Sequence, residues 1–312
     1  MELPSPFPFD PSYGYDRESL LRVPAPEGPA DFADFWRETY REARAVPLRL
    51  ERKPLISPDA GFLLWDVRFD AWGDCRIGGW LSVPASGAVG KGIVLGHGYG
   101  GRDTPGFIPG AATLSPCARG FHLSARADLP DTSARHVLHG IERRETYLHR
   151  GCAADLWAAA TALLELHPEV EGRLSYRGGS FGGGIGALAI PWDGRFSRAF
   201  LDIPSFGNHP LRVQLPCQGS GEAVRLYHHD HPEVLEVLAY HDAATAARYF
   251  RIPVTVAPAL YDPAVPPPGQ FAIYNGIPDG KELIVRTEAH LGSPTELREA
   301  VGIEDRLNAS EG

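Results

Sequence analysis

The stretch Tyr-Arg-Gly-Gly-Ser-Phe-Gly-Gly-Gly, Tyr176 to Gly184, sets one aliphatic hydroxyl, Ser180, among five glycines. A serine hydroxyl is a weak nucleophile at neutral pH. It attacks an acyl carbon only when a base takes its proton, a third group orients that base, and N–H donors meet the developing oxyanion. Flexible linkers also mix Gly and Ser, but the flanks argue against a linker. Arg173–Tyr176 reads as a short strand and Ile185–Ile190 as the continuation of a buried helix. A strand, a sharp turn and a helix around Gly178-Gly179-Ser180-Phe181-Gly182 is the setting of a G-x-S-x-G elbow, in which a strained turn lifts the serine clear of a sheet. Small residues two positions either side are needed where strand and helix pack closely.

With such an elbow, the acid and then the histidine are expected further along the chain, on loops after later strands. Of twelve histidines, His290 in Glu-Ala-His-Leu-Gly follows the last predicted strand, with only a short helix beyond it, and is the expected base. Asp262 closes the penultimate apolar strand and is the preferred acid; Asp202, which closes the strand after the elbow, is the alternative, and Asp242 falls in a helix. One oxyanion donor is the backbone N–H of Phe181. The other is expected from the Gly-rich loop His97–Gly101, where His97 itself reads as a support for the turn. His228, His229 and His231 could suggest a metal site, but in an irregular insertion solvated histidines are the expected reading.

The elements that must position these groups are legible as patterns. Asp31–Ala45 reads as a helix, with Phe32, Phe35, Trp36, Tyr40 and Ala43 near helical spacing. Strands are expected at 63–71, 76–83, 92–96, 121–125, 199–203, 253–260 and 283–286, and a helix over Cys152–His167. Gly92–Gly96 is wholly apolar, as a parallel strand covered on both faces should be. Strands alternating with helices imply an α/β class, the α/β-hydrolase fold: a mostly parallel central sheet with helices on both faces. One domain is expected over 1–312, with an extended arm and helix over about 1–50 and a helical insertion over about 205–250.

Composition narrows the function further. Apolar residues make up 43% of 312, enough for a sizeable core, and the net charge of −9 argues against a nucleic-acid binder, which needs a basic surface. Cys75, Cys117, Cys152 and Cys217 stand far apart with no C-x-x-C pair, so free thiols in a reducing compartment are expected. The first ten residues lack a basic segment followed by an apolar run, and no stretch has the length of a membrane span. A cytoplasmic protein with no membrane partner and no metal or other cofactor is expected.

The chain resembles the acetyl xylan esterase and cephalosporin C deacetylase group, carbohydrate esterase family seven. The resemblance rests on the Asp31–Ala43 helix, Arg76–Ser86, Gly96–Arg102, Arg177–Ala189 and Leu260–Val285, leading to His290. It implies that Ser180, Asp262 and His290 form the triad and that the backbone N–H groups of Tyr99 and Phe181 form the oxyanion hole. Three positions depart from the family pattern. Phe181 stands for the usual Gln after the nucleophile, Arg126-Ala127-Asp128 for Arg-Gly-Gln, and His290-Leu291 for His-Glu. The resemblance also implies a homo-oligomer, the hexamer common in the family.

The expected protein is therefore a serine esterase hydrolysing short acyl esters, with an acetylated sugar as substrate. The ring of Phe181 is expected to shape a wall beside the nucleophile. Two other readings stand beside this one: a general carboxylesterase or peptidase-like serine hydrolase, and a non-catalytic descendant that binds a ligand in the old pocket.

Overall fold

A computed structural model of the chain describes residues 6–310. Among these residues nine strands form one sheet: β1 Glu51–Leu55, β2 Phe62–Ala71, β3 Cys75–Pro84, β4 Lys91–Leu95, β5 Ala111–Pro116, β6 Leu174–Gly179, β7 Phe196–Asp202, β8 Val254–Ala257 and β9 Lys281–Leu283. Their order is β1-β2-β3-β5-β4-β6-β7-β8-β9. The ladders from β1 to β5 through β2 and β3 are antiparallel, and all others are parallel. This is the mostly parallel sheet that the alternating pattern implies.

Side-chain alternation along the central strands assigns the two faces. On β7, Leu201 packs into the main core, while Phe200 meets Ala257, Ile303 and Leu307 on the opposite face. Ile303 and Leu307 belong to the C-terminal helix Pro294–Ser310, which covers that side. The main core is closed by Leu148–Leu166 and Phe181–Ala189, both buried along almost their whole length. Alanine and glycine dominate the second helix, so its backbone can lie close to the sheet. The helix Phe32–Arg44 buries Phe32, Trp36 and Thr39 at a spacing of four and three, and Trp36 donates its indole N–H to the Tyr240 carbonyl at 2.8 Å.

Three elements differ from the sequence expectation. The strand expected at Phe121–Ala125 lies instead at Ala111–Pro116, and His122–Ser124 is a single 3₁₀ turn. Ala-Ala-Thr-Leu-Ser-Pro has weak strand propensity but is buried throughout between β3 and β4, so packing decides its conformation. Near Phe121 the chain turns at His122, whose φ is 43°. β1 was not anticipated because Glu-Arg-Lys-Pro-Leu is exposed at every position; it is an edge strand, where charges and proline are tolerated. The last strand begins at Lys281 rather than Leu283, and the 259–286 bridge carries its line further.

Residues 6–30 run over the surface largely without regular structure. Tyr13 donates its hydroxyl to the Pro216 carbonyl at 2.8 Å, and the Asp262 N–H reaches the Pro11 carbonyl at 3.2 Å. Asn275 Nδ2 donates to the carbonyls of Leu20 and Val23. Between β7 and β8 lie four short helices, His209–Arg212, Ser220–Asp230, Val234–Leu238 and Ala243–Ala247. Asp242 caps the last of them, accepting from the N–H groups of Ala244 and Thr245.

Candidate active site

Ser180 stands between β6 and the helix Phe181–Ala189 with φ 52° and ψ −114°. A non-glycine residue in this region costs of order 1–3 kcal/mol and persists only where the surroundings enforce it. Here the Ser180 N–H donates to the Asp202 carbonyl at 2.9 Å, and the Ser180 carbonyl accepts from Ser205 and Gly184. The flanking glycines are required by contact. A Cβ at Gly178 would lie 2.8 Å from the carbonyl carbon of Gly182, and one at Gly182 would lie 2.8 Å from the His97 carbonyl oxygen. Any side chain at either position would push strand, helix and the His97 loop apart.

His290 comes to Ser180 from the loop after β9. Its Nε2 lies 3.1 Å from Ser180 Oγ, and its Nδ1 lies 2.9 Å from both carboxylate oxygens of Asp262. Asp262 is fully buried. Its Oδ1 accepts from the N–H groups of Ala264 and Val265, and its Oδ2 from Gln270 Nε2 at 2.8 Å. With the carboxylate acting as acceptor, the proton on the imidazole is placed on Nδ1, and Nε2 is left to accept from the serine. Burial favours the neutral imidazole, but the hydrogen bond and charge of Asp262 outweigh it, and the pKa of His290 is raised above its ordinary value.

Asp202, the alternative acid, is brought to a different partner. Its carboxylate is bound by Arg286 Nη1 at 3.0 and 2.7 Å. Its part in the elbow is its carbonyl, not its carboxylate.

The loop after β4 passes over Ser180. A Cβ at Gly98 would lie 4.0 Å from Ser180 Cβ, and Tyr99 follows directly. The N–H of Phe181 is the first of its helix and so has no acceptor within the helix. His97 supports this loop: Nε2 accepts from the Ala118 N–H at 2.9 Å, so Nδ1 carries the proton and donates to the Gly98 carbonyl at 2.7 Å. Burial pushes its pKa down to about 4.

The Phe181 ring does not form the expected wall beside the nucleophile. It is 2% exposed, with its centroid 4.2 Å from that of Tyr99, and it is ringed by His97, Phe121, His136 and Phe206. The first residue of a helix that packs onto the sheet turns its side chain into the core, and this aromatic cluster is what receives it.

Of the other departures, Arg126 is engaged locally, donating Nε and Nη2 to Asp128 at 2.9 and 2.7 Å and Nη1 to the Asp74 carbonyl. Leu291 donates its N–H to Glu296 at 2.9 Å. His228, His229 and His231 lie at the end of the helix Ser220–Asp230, where His229 meets Asp230 and His231 meets Glu233. No group of three His, Cys, Asp or Glu suited to a metal ion is found among the described residues. No described helix is long and apolar enough to cross a membrane. All four cysteines are free and buried.

Two supporting residues were not anticipated. Gln270 links the acid loop to the end of β8: its Nε2 donates to Asp262 and to the Val265 carbonyl, and its Oε1 accepts the Ala259 N–H at 2.8 Å. Glu296 accepts three backbone N–H groups of the His290 loop. Glu296 lies outside every motif, and although Gln270 falls within Leu260–Val285, an amide eight residues after an acid is a spacing that singles out no role.

The acetyl xylan esterase (AXE1) family model matches residues 22–300. The acetyl xylan esterase of Paenibacillus sp. R4 superposes with a TM-score of 0.79 at 21% identity, covering 94% of this chain and 99% of its own. Acetyl xylan esterase 1 of Thermoanaerobacterium sp. JW/SL YS485 gives 0.81 at 20% identity, with 96% and 99% covered. The acylaminoacyl peptidase of Pyrococcus horikoshii gives 0.57 at 14% identity, covering 85% of this chain and 42% of that one, so the common fold extends to peptidases. A match along 22–300, together with a serine elbow on a mostly parallel sheet, makes this chain a member of the acetyl xylan esterase (AXE1) family, carboxylic ester hydrolases of the α/β-hydrolase fold.

Proposed function

We propose that the protein hydrolyses acetyl esters of sugars through an acyl-enzyme on Ser180. The observation that carries this reading is the unbroken chain of contacts from Asp262 through His290 to Ser180 Oγ. In the proposed reaction His290 Nε2 takes the hydroxyl proton as Oγ attacks the ester carbonyl carbon. The tetrahedral oxyanion is held by the N–H groups of Tyr99 and Phe181, each worth about 3 kcal/mol in the transition state. As the C–O bond to the alcohol breaks, His290 returns the proton to the departing oxygen. Water, deprotonated by the same imidazole, then attacks the acyl-enzyme and releases acetate. Asp262 keeps the imidazole in the required tautomer and stabilises its cation.

The triad needs no metal or cofactor, and four buried, unpaired thiols fit a reducing compartment such as the cytoplasm. The sugar substrate is the one that membership of the acetyl xylan esterase family supports.

The experiment is labelling by a fluorophosphonate probe together with turnover of acetylated xylo-oligosaccharides and 4-nitrophenyl acetate. Wild-type protein is expected to label at Ser180 and to release acetate. Ser180→Ala, with an unchanged circular dichroism spectrum, is expected to lose about 10⁶-fold in kcat. A stoichiometric label elsewhere, or a variant that still turns over, would remove the assignment. Faster hydrolysis of octanoate than of acetate esters would leave a general carboxylesterase.

A further inference from the structure

A buried arginine with no counter-ion among the described residues lies near the Phe206 ring and the loop that carries Asp262. Arg212 ends the short helix His209–Arg212. It is 4% exposed, and its Nε, Nη1 and Nη2 have no hydrogen-bond partner among the described residues. A guanidinium cannot escape burial by releasing its proton. A charge enclosed without a partner is strongly destabilising, and native folds normally supply one. The neighbouring carboxylates are already committed. Glu222 and Asp262 both act on the adjacent Cys217 thiol, but Glu222 is held by Arg225 at 2.8 and 2.6 Å, and Asp262 by His290 and Gln270.

The position of the guanidinium indicates what it serves. On one side it lies 5.4 Å from the centre of the Phe206 ring. That ring packs against the rings of Tyr99 and Phe181, at 6.2 and 6.1 Å between centroids. On the other side, a Cβ at Gly221 would lie 2.9 Å from Arg212 Nη2 and 3.4 Å from the Ala264 carbonyl, two residues beyond Asp262. Arg212 therefore sits between the residues of the oxyanion donors and the loop of the acid, the two parts that converge on Ser180 and His290. The Phe206 contact uses one face of the cation and leaves its in-plane donors free. The buried hydroxyl of Tyr147, within reach of the same charge, is also without a partner among the described residues.

We propose that Arg212 is a subsite for a carboxylate carried by the ester substrate, so that acidic esters are hydrolysed in preference to neutral ones of the same size. This deepens the esterase reading and rests on it. A planar fork of donors in a desolvated site matches a carboxylate in two parallel hydrogen bonds. The carboxylate can belong to the acyl half, as in a dicarboxylic hemiester, or to the alcohol half, as in an acetylated acid sugar. The cation would answer both in the same way.

Two matched pairs separate these sources: phenyl hemisuccinate against phenyl succinamate for the acyl half, and 4-acetoxybenzoate against 4-acetoxybenzamide for the alcohol half. In the full-length protein, kcat/KM for the acid is expected to exceed that for its amide by at least about tenfold in one pair, which identifies the half. The ratio should collapse in Arg212→Met and be intermediate in Arg212→Lys. Equal rates for acid and amide in both pairs would overturn the subsite while leaving the esterase reading intact. If none of the four esters is hydrolysed, the esterase reading fails, and melting temperature decides the subsite alone. A rise with sodium succinate, against sodium chloride of equal ionic strength, that Arg212→Met lacks would support it; no rise in the wild type, or an equal rise in the variant, would overturn it. Without succinate, Arg212→Met is expected to melt above the wild type, because it removes an uncompensated buried charge. A lower melting temperature would mean that Arg212 is a structural contact, and would overturn the proposal.

Discussion

The Glu296 carboxylate holds the backbone of His290. It accepts the N–H groups of His290, Leu291 and Gly292 at 2.8, 2.9 and 2.7 Å. His290 itself has φ 57°, a left-handed conformation that is costly for a histidine and needs such support. Burial would push the Glu296 carboxyl up, but the three backbone donors outweigh it and hold its pKa below the ordinary value. The carboxylate therefore stays ionised through the range in which His290 works.

Glu296→Ala should lower kcat by about 10–100-fold, because an imidazole displaced by an ångström loses its alignment with Ser180. Glu296→Gln keeps one acceptor oxygen and should retain more activity. Fluorophosphonate labelling rates should fall in the same order as kcat, since both read the nucleophile's activation. Equal, wild-type kcat in both variants would remove Glu296 from the positioning of His290.

Asp262→Asn should reduce kcat by about 10⁴-fold, because the amide can donate to Nδ1 and favour the wrong tautomer. Asp202→Asn should cost far less, since its carboxylate is bound to Arg286 rather than to the imidazole. Steady-state kinetics on 4-nitrophenyl acetate separates the two. A reversal of the order would move the acid to β7.

The acid limb of the rate profile follows from His290. Its active form is neutral, and its pKa is raised above 6.5: burial works against the rise, but the hydrogen bond and charge of Asp262 outweigh it. As pH falls, kcat/KM should drop through a midpoint above 6.5. Since the folded state binds this proton more tightly than the unfolded chain, the same group stabilises the fold fully below pH 6.5 and loses that contribution as pH rises through the raised value. A midpoint at or below 6 would contradict the Asp262–His290 pairing.

Stability in acid should be governed by other histidines. Burial pushes His97 and His136 down to about 4 and His209 and His241 down to about 3, and drives His149 well below its usual value. Unfolded, each takes a proton near 6.5, so the folded state loses stability as pH falls below that value, by about 1.4 kcal/mol per histidine one pH unit lower. Asp242, pushed up to about 6 by burial, acts in the opposite sense and offsets part of one such loss. Thermal melts from pH 7.5 to 5 should show a steep fall in melting temperature. A flat profile would mean that these imidazoles are not buried neutral.

The elbow was legible because its chemistry is local. Gly178 and Gly182 are demanded by contacts within the turn and with the adjacent loop, so the G-x-S-x-G pattern appears in consecutive residues. His290 and Asp262 were legible by order, since each follows an apolar strand at the expected end of the chain. The parallel strands β4, β7 and β8 were legible as largely apolar segments for the same reason that they are central, both faces being covered, whereas β6, Leu-Ser-Tyr-Arg-Gly-Gly, was legible only from its place before the elbow. β5 and β1 were not. Ala111–Pro116 is a strand because its neighbours bury it, and Glu51–Leu55 because β2 offers an open edge.

From the order of residues alone come the candidate nucleophile, the order of its candidate partners and the class of sheet that presents them. Which carboxylate meets the imidazole was decided in three dimensions: Asp262 and Asp202 each follow an apolar segment of the sequence, and packing brings the first to His290 and the second to Arg286. The direction of the Phe181 ring, the hold of Glu296 on His290 and the isolation of Arg212 were likewise decided by the fold. Each depends on contacts between residues far apart along the chain or on the absence of such contacts, and no spacing in a sequence records either.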